Sequence, residues 1–413
     1  MAKIEILDFT DKARESFTNT GYLNVWEGAV RSGKTVVSIA AWLAYVMQSV
    51  ETRFLMSGNT IATLYANVID NDFGIINLAH PYARYGVDAD GNRVLTVKSP
   101  LYSEPKVIYC VGAHDEASYK KIRGRTIGGW YADEINLHPK TFVEEAFRRS
   151  FVSRDRKNYW TLNPDNPNHW IYVDYLDKYE KEHLPGFNLW KFTLDDNLAI
   201  TEERKNEIKS QYSGFFYDRY VLGLRVAGQG RIYDMWQDGY LYDHEPPVGA
   251  AYVTIDYGTT NPMVYLKIID DNTTLWVDDE YYWSSRQEYR QKEDSEYADD
   301  YAKFVGDLPV QMAVLDPSAA SFKVALFNRG CFVKDANNEV LEGIRRVSTM
   351  MAKGQIRINK RCRNLRNELL SYIWDEKAAE RGEEKPLKQA DHACDALRYF
   401  VRTVIPKWRV SAT

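Results

Sequence analysis

The stretch Gly28-Ala-Val-Arg-Ser-Gly-Lys-Thr35 decides the fold of the first half of the chain. It fits the pattern G-x-x-x-x-G-K-[ST] at every fixed position, between an apolar strand-like run at 22–26 and an apolar helical run at 36–47. In that context the N–H groups of the loop and of the helix N-terminus bind the phosphates of a nucleoside triphosphate. The alternative is a glycine turn that caps an ordinary helix. The predicted contacts are Gly28, Arg31, Ser32, Gly33, Lys34 at the β- and γ-phosphates, and Thr35 at Mg²⁺.

The composition is that of an ordinary soluble chain, long enough at 413 residues for two or three domains. The net charge of −5 argues against a protein that coats nucleic acid through its overall field, so such contacts must come from local patches. None of the four cysteines forms a C-x-x-C pair, which argues against a zinc ribbon or a disulfide framework. No apolar signal core opens the sequence, and the longest apolar run, 39–47, is too short to cross a bilayer.

Strands alternate with helices after the glycine loop. Apolar strands are predicted at 52–58 and 106–112, with a helix at 60–70, and this alternation indicates a mostly parallel, doubly covered sheet. The next apolar strand, Ile127-Gly-Gly-Trp-Tyr-Ala-Asp-Glu134, ends in two acids. We expect Asp133 to hold Mg²⁺ through water and Glu134 to orient or deprotonate the attacking water. The alternative is a helix N-cap with an acid in its first turn.

Two further groups of polar residues are candidates at the nucleotide. Lys120-Lys-Ile-Arg-Gly-Arg125 precedes the acidic strand, and Arg123 or Arg125 is the predicted arginine finger, in cis or from a neighbouring subunit. The alternative is a solvated basic loop. The strand 159–164 runs into an Asn-Pro turn, where Thr161 and Asn163 are candidate sensors of the γ-phosphate.

The segment 194–240 is predicted to be helical at 202–212 and 215–224 and then glycine-rich. We interpret it as a small subdomain and hinge, either a lid that moves with the nucleotide or a plain linker. The predicted domains are therefore residues 1–193, residues 194–240 and residues 241–413.

The second half begins a new, mixed sheet whose strands end in acids. Asp256 ends the strand 251–256, Asp316 ends the strand 311–316, and a helix is predicted at 389–400. Asp395 falls between Asp391 and His392 on one side of that helix. Three acids from two strands and a helix can converge at a sheet edge and clamp two Mg²⁺ or Mn²⁺ ions about 4 Å apart, as in a ribonuclease-H-like nuclease. A solvated helix face is the alternative for Asp391 and Asp395.

A basic stretch lies close to these acids in the sequence. It can follow DNA phosphates or form a solvated helix face. Its members are Arg345, Arg346, Lys353, Arg357, Lys360, Arg361, Arg363 and Arg366.

A P-loop ATPase followed by a ribonuclease-H-like nuclease resembles the large terminase subunit of tailed bacteriophages over nearly the whole chain. The segments that carry the resemblance are Gly28–Thr35, Ile122–Arg125, Asp133-Glu134, Thr161–Pro164, Asp256, Asp316 and Asp391–Tyr399. The resemblance implies that Asp256, Asp316 and Asp395 bind metal with help from His392. Both Asp391 and Asp395 compete for the third-acid role, and the choice between Arg123 and Arg125 stays open.

The resemblance also implies a function and partners. Such proteins use ATP to move double-stranded DNA through the portal into an empty procapsid, and they cut concatemeric DNA. They assemble as a ring on the portal, commonly a pentamer, in the host cytoplasm, and a small terminase subunit recognises the packaging site. Two rival hypotheses are a helicase or repair ATPase with a fused nuclease, and a P-loop DNA-binding protein with an inactive C-terminal scaffold. The acids Asp256, Asp316 and Asp395 argue against the scaffold.

Overall fold

The structure, a computed structural model, describes residues 9–259, 261–406 and 409–410. Contacts within the chain divide it into two compact units. The first unit contains the described residues up to Lys205 and the segment 217–227, and the second contains residues 206–216 and the described residues from Gly228 onward. The segment 194–240, predicted to be a separate subdomain, is therefore shared between the two units.

The first unit is built on an eight-stranded sheet in the order β3-β4-β5-β2-β6-β7-β1-β8. Six neighbouring strands, from β5 to β8 in that order, are parallel, and β3 and β4 add an antiparallel edge. The strands are β1 (Leu23–Gly28), β2 (Arg53–Gly58), β3 (Ala83–Val87), β4 (Arg93–Val97), β5 (Lys106–Gly112), β6 (Gly129–Ala132), β7 (Lys157–Leu162) and β8 (Phe187–Phe192).

Helices cover both faces of this sheet, because neighbouring residues of each strand point to opposite sides. On β7, Tyr159 packs in one apolar core with Trp42, while Trp160 packs in the other core with Phe142. The helices are α1 (Asp11–Thr18), α2 (Lys34–Gln48), α3 (Ile61–Leu64), α4 (Ile75–Leu78), α5 (Lys140–Ser150) and α6 (Asp177–Lys181). The helix predicted at 60–70 is α3 followed by a π-helix, Tyr65–Ile69.

Two short helices lie where the chain passes between the units, α7 (Glu202–Lys209) and α8 (Gly214–Tyr220). Both are shorter than the sequence pattern predicts. Gly214 has a positive φ of 54°, and Gly223 has a positive φ of 72° in the region where the second helix was expected to continue. Within the described residues, no helix has the length and apolar character needed to span a bilayer.

The second unit is built on a seven-stranded mixed sheet in the order β14-β13-β10-β11-β12-β15-β9. Strands β10, β11 and β12 form an antiparallel meander, and the strands that flank it on each side run parallel to their neighbours. The strands are β9 (Leu241–Tyr242), β10 (Ala250–Asp256), β11 (Met263–Asp270), β12 (Leu275–Trp283), β13 (Val310–Leu315), β14 (Val333–Asp335) and β15 (Ile356–Asn359).

Helices lie on both faces of this sheet as well. Val253 and Ile255 of β10 pack against one set of helices, and Thr254 between them donates a 2.7 Å hydrogen bond to the carbonyl of Ala396 on the other face. The helices are α9 (Asp294–Val305), α10 (Ala320–Phe327), α11 (Val340–Ala352), α12 (Arg363–Ser371), α13 (Glu376–Glu380) and α14 (His392–Thr403). The predicted fold class, a mostly parallel α/β sheet followed by a mixed sheet, is confirmed.

Candidate functional site

The glycine loop of the first unit joins the end of β1 to the start of α2, as the motif requires. Gly33 is the N-cap of α2 with a φ of 86°, a conformation that glycine adopts without strain. Gly28 leaves no room for a side chain, because a Cβ there would lie 2.2 Å from the carbonyl oxygen of Phe192. Ser32 is buried and its hydroxyl has no hydrogen-bond partner among the described residues. An unsatisfied hydroxyl in a phosphate loop fits a nucleotide ligand.

Arg31 and Thr35 lie on either side of Ser32, Gly33 and Lys34 in the loop. Arg31 has a positive φ of 59°, and Asn197 holds this backbone by donating a 2.8 Å hydrogen bond to its carbonyl. The Arg31 side chain is exposed, and Thr35 is half-buried in the first turn of α2. Both side chains are therefore available to a ligand at the loop.

Lys34 is buried and already points at a predicted sensor residue. Its ammonium donates hydrogen bonds to the Asn163 side-chain oxygen at 2.8 Å and to the Ala29 carbonyl at 3.1 Å. Burial lowers the pKa of Lys34 to about 8, against the raising effects of Asp133 and Glu134. A triphosphate would place negative charge in contact with this buried ammonium group.

The two acids at the end of β6 lie beside this lysine. Asp133 is buried and accepts hydrogen bonds from Thr161 at 2.8 Å and from Asn67 at 3.1 Å. Glu134 has a left-handed backbone, with a φ of 53°, and its N–H donates to the Thr161 hydroxyl at 3.1 Å. Burial raises the pKa of both carboxyls, and for Glu134 the charge of Asp133 adds to the effect. A carboxylate whose proton affinity is raised in this way is suited to act as a general base.

Two residues that the sequence analysis missed support this pair of acids. Asn67 reaches Asp133 from the π-helix after α3, and π-helical turns occur often at functional sites. His138 is buried between the Ser57 hydroxyl, 2.8 Å from its Nε2, and the Glu134 carbonyl, 3.3 Å from its Nδ1. No motif marks either residue: Asn67 comes from a different element, and His138, four residues after Glu134, meets Ser57 of the neighbouring strand β2 only in the folded sheet.

The two candidate arginine fingers differ in what holds them. Arg125 stacks 4.0 Å from the ring centroid of Tyr109 and donates a 2.7 Å hydrogen bond to Asn92. Arg123 is exposed and has no ion pair or hydrogen bond with any described residue. Arg125 is therefore committed within its own unit, and Arg123 is available to another ligand.

The second unit contains a cleft of about 520 Å³ that gathers most of the predicted nuclease residues. Asp256, Asp391, His392 and Asp395 all line it. Asp256 comes from the end of β10, Asp391 is the N-cap residue of α14, and His392 and Asp395 lie in the first turn of that helix. The helix begins at His392 rather than at the predicted 389, because Ala390 has a positive φ of 49°.

Asp256 and His392 form a direct pair in this cleft. The His392 Nδ1 lies 2.9 Å from Asp256 Oδ2. Burial raises the pKa of Asp256 to about 6, against the lowering effect of His392. Burial lowers the pKa of His392, but the hydrogen bond to Asp256 and its charge outweigh burial and raise it overall. Within the pair, Asp256 raises the proton affinity of His392, whereas His392 lowers that of Asp256.

The two competing acids of α14 lie side by side and face the same cation. Asp395 accepts from Arg398 at 3.0 and 3.1 Å through one oxygen, and its other oxygen lies 3.8 Å from the Lys388 ammonium. Asp391 Oδ2 is buried without a hydrogen-bond partner and lies 3.9 Å from the same ammonium. Burial raises the pKa of Asp391, and the charge of Asp395 adds to that effect.

Asp316 is the predicted acid that the structure places apart from the others. It follows β13 and is not among the residues that line the cleft. Its Oδ2 accepts a 2.9 Å hydrogen bond from Tyr399, a residue of α14 that does line the cleft. Tyr399 thus connects Asp316 to the cleft that the other acids line. The sequence analysis did not identify this role of Tyr399.

The donor chemistry of the cleft fits a divalent cation. Carboxylate oxygens are the ligands that Mg²⁺ and Mn²⁺ prefer, and the buried, unpaired Asp391 Oδ2 is an acceptor that a cation would satisfy. Among the described residues, however, no three His, Cys, Asp or Glu side chains lie close enough as placed to hold one ion together. The acids that line the cleft, and Asp316 beside them, would have to move toward an ion to bind it together.

Glu368 is a further residue that the sequence analysis missed, and it contacts the helix that carries the acids of the cleft. It lies on α12, is buried, and accepts hydrogen bonds from the N–H groups of Ala393 and Cys394 at 2.6 and 3.1 Å. It therefore satisfies free donors at the N-terminus of the helix that carries the acids. Burial raises the pKa of Glu368 to about 7, against the lowering effect of these hydrogen bonds.

Both interpretations of the basic stretch 345–366, contact with DNA phosphates and a solvated helix face, are wrong for Arg346. That side chain is 2% exposed and binds the Ile405 carbonyl and Glu342. Helix α11, which carries it, is amphipathic, and Arg346 lies on its buried face with Ile344 and Val347. Sequence spacing alone did not distinguish this face from a solvated one.

Comparisons with known proteins identify the family. The description "Terminase large subunit, T4likevirus-type, N-terminal" matches residues 25–236, and "Terminase RNaseH-like domain" matches residues 254–403. The chain belongs to the terminase large subunit family. The predicted resemblance is therefore confirmed, and both halves of the chain contribute to it.

Solved terminase structures agree with this assignment over nearly the whole chain. The large terminase of a thermophilic bacteriophage is 36% identical, with 96% of this chain and 99% of that chain covered and a TM-score of 0.85. The same phage protein in complex with ADP is 35% identical, with 96% and 100% covered and a TM-score of 0.83. Its complex with ATP-gamma-S gives 36% identity, 96% and 100% coverage and a TM-score of 0.82. No curated protein matches the sequence.

Proposed function

We propose that this protein is a viral DNA-packaging motor that also cuts the genome. The first unit hydrolyses ATP to move double-stranded DNA through the portal into the procapsid, and the second unit cleaves concatemeric DNA. The observation that carries the proposal is the presence in one terminase chain of a complete phosphate loop beside two acids and of a separate acid-lined cleft. The thermophilic phage terminase, similar over its whole length, has been crystallised with ADP and with ATP-gamma-S.

In the first unit the loop residues receive the triphosphate of ATP. The N–H groups of residues 28–35 and the hydroxyl of Ser32 bind the phosphates, and Arg31 supplies a second positive charge. When ATP binds, the Lys34 ammonium exchanges its hydrogen bond with the Asn163 oxygen for contacts with the β- and γ-phosphates. Asn163 is then free to contact the γ-phosphate. Thr35 and Asp133 would hold Mg²⁺, which would neutralise phosphate charge.

Glu134 acts as the general base of ATP hydrolysis. Its carboxylate accepts the proton of the attacking water, and its raised pKa favours that transfer. Thr161 keeps this base in position, because its hydroxyl bonds both the Glu134 N–H and the Asp133 carboxylate. Arg123, rather than the committed Arg125, is the residue we assign to the γ-phosphate of a neighbouring subunit.

In the second unit the acids in and beside the cleft would hold divalent ions. Asp256, Asp316 and Asp395, with Asp391 beside them, are the proposed ligands, and Mg²⁺ or Mn²⁺ supplies charge stabilisation for attack on a phosphodiester. His392 keeps the Asp256 carboxylate in position through its Nδ1. Tyr399, which lines the cleft, donates a hydrogen bond to Asp316, and Arg398 donates one to an oxygen of Asp395.

The proposed partners follow from the packaging function. We propose a homo-oligomeric ring, a pentamer, docked transiently on the portal of a procapsid in the host cytoplasm, with a small terminase subunit that selects the DNA. The exposed, unpaired Arg123 of the first unit supports this assembly. In a ring, each subunit could supply this arginine to the nucleotide site of its neighbour.

A defined packaging reaction tests the motor function. The purified chain is combined with empty procapsids that carry their portal, linear double-stranded DNA, ATP and Mg²⁺, and DNA protected from DNase is measured. We expect ATP-dependent protection that is lost in Lys34→Ala and in Arg123→Ala, whereas Arg53→Ala, which removes an exposed arginine at the start of β2, packages normally. ATP hydrolysis stimulated by procapsids without any DNA protection would contradict the motor function.

A further inference from the structure

The segment 284–292, named here the cleft loop, connects β12 to α9 and borders the acid-lined cleft. It is fixed at both ends. The Ser285 hydroxyl donates a 2.9 Å hydrogen bond to the Thr259 carbonyl, and the N–H of Arg290 donates to the Ser285 carbonyl at 3.2 Å. Lys292 lies 3.5 Å from the ring centroid of Trp283 and forms an ion pair with Asp300 at 2.5 Å. These contacts hold the loop in a defined conformation.

Arg286 on this loop carries a positive charge that the protein does not neutralise. It lines the cleft together with Asp256, Asp391 and Asp395, but its guanidinium has no ion pair or hydrogen bond with any described residue. The other arginine of the loop, Arg290, is paired with Glu296. A planar, unpaired guanidinium at the mouth of a cleft that binds a phosphodiester has the geometry to take a phosphate oxygen pair.

Tyr289 on the same loop is presented to solvent by a strained backbone. Its φ is 49°, which is uncommon for a bulky residue, and the residue is 95% exposed. A loop chosen for solubility alone would favour glycine or asparagine at this conformation. An aromatic ring there offers a flat surface on which a sugar or a base can pack.

From these observations we propose that the cleft loop positions the DNA strand that is to be cut. Arg286 binds a backbone phosphate next to the scissile one, and Tyr289 packs against the sugar or base of a flanking nucleotide. Both contacts are independent of base sequence, since every nucleotide presents a phosphate and a flat face. This inference rests on the proposed nuclease function and adds to it the residues that hold the substrate.

The test measures cleavage kinetics of the full-length chain on a short fluorescent duplex with Mn²⁺ at several salt concentrations. We expect Arg286→Gln to raise KM at least about tenfold. The slope of log KM against the logarithm of the salt concentration should fall by about one, as it does when one phosphate contact is lost. Tyr289→Ala should raise KM roughly 5- to 150-fold without changing that slope, and Tyr289→Phe should retain the wild-type KM. For each variant kcat should change less than KM.

Arg290→Gln is the matched control, because it removes the same charge from the same loop but from a guanidinium that is already paired. Thermal melting of every variant confirms that the unit is folded. Equal effects of Arg286→Gln and Arg290→Gln, or equal effects of Tyr289→Phe and Tyr289→Ala, would overturn the inference. A wild-type chain that cleaves no DNA with any divalent ion would instead overturn the nuclease function, and this inference with it.

Discussion

At the residue scale, the backbone conformation of Glu134 decides where two consecutive acids lie. The positive φ turns the chain sharply after β6, so that two consecutive acids take different places beside Lys34. We predict that Glu134→Gln lowers the kcat of ATP hydrolysis about 10²- to 10⁴-fold, because the amide accepts no proton from water. Nucleotide affinity should change little.

The measurement is steady-state ATPase activity beside the affinity for a fluorescent ADP analogue. Glu144→Gln, a change of a partly exposed carboxylate on α5, is the control and should leave kcat unchanged. An unchanged kcat in Glu134→Gln would assign the proton transfer to another group.

His138 makes the stability of the first unit depend on pH. Burial lowers its pKa to about 4, whereas an unfolded histidine titrates near 6.5. Between these values the unfolded chain binds a proton that the folded chain does not, so stability is complete above about pH 6.5 and falls as the pH drops toward 4. The loss from this residue reaches about 3 kcal/mol, at 1.36 kcal/mol for each unit of pKa.

The measurement is the thermal midpoint of the ADP-stabilised transition between pH 7 and pH 4.5. His138→Gln should start lower at pH 7, because it loses buried contacts, and should then show a shallower pH dependence than the wild type. The exposed His183→Gln should follow the wild-type curve. Parallel pH curves for the wild type and His138→Gln would contradict the account.

At the scale of elements, a buried ion pair ties the segment 217–227 to the strand that leads into the phosphate loop. Arg225 contacts both oxygens of Glu27, a residue 1% exposed at the end of β1, and also bonds Asp177. We predict that Arg225→Met destabilises the first unit by about 3–5 kcal/mol, because it leaves a buried carboxylate without a partner.

Chemical denaturation followed by tryptophan fluorescence measures this loss. The double variant Glu27→Met/Arg225→Met should regain much of the stability, since no unpaired charge remains. Arg148→Ala, which removes an exposed side chain whose ion pairs are 3.8 Å long, should cost at most about 1 kcal/mol. Equal losses for Arg225→Met and Arg148→Ala would show that the buried pair does not anchor the segment.

The start of α14 depends on a carboxylate from another helix. We predict that Glu368→Ala lowers DNA cleavage by at least about tenfold and the stability of the second unit by about 1–3 kcal/mol, because two buried N–H groups lose their acceptor. Glu368→Gln retains a carbonyl oxygen that can accept these bonds and should recover most of both properties. Exposed Glu383→Ala is the control. Failure of the glutamine variant to recover would mean that the charge, rather than the hydrogen bonds, is required.

How far the sequence predicted these elements depends on where their partners come from. The phosphate loop and the strand that ends in Asp133 were predictable, because strand, loop and helix follow one another along the chain. Arg346 and Glu368 were not, because a helix side turns inward or outward according to elements distant in sequence. The separation of Asp316 from the other acids was unpredictable for the same reason. Its position at a strand end predicts the edge of the sheet on which it lies, but not its distance from the other acids along that edge.

At the scale of the whole molecule, each of the two units of the chain carries its own candidate site, the phosphate loop in the first and the acid-lined cleft in the second. We propose that these sites act separately, with ATP hydrolysis in the first unit and metal-dependent DNA cleavage in the second. Substitutions in either unit should therefore act on one chemistry and leave the other intact.

The most direct measurement compares ATP hydrolysis and the nicking of supercoiled plasmid for the full-length wild type, Lys34→Ala, Asp256→Ala and Asp395→Ala. Nicking is followed with Mg²⁺, with Mn²⁺ and with EDTA. We predict that Lys34→Ala loses ATP hydrolysis and still nicks DNA with a divalent ion, whereas Asp256→Ala and Asp395→Ala lose nicking and still hydrolyse ATP. A folded wild-type chain that nicks no DNA with either ion, or nicking that persists in both aspartate variants, would contradict the claim.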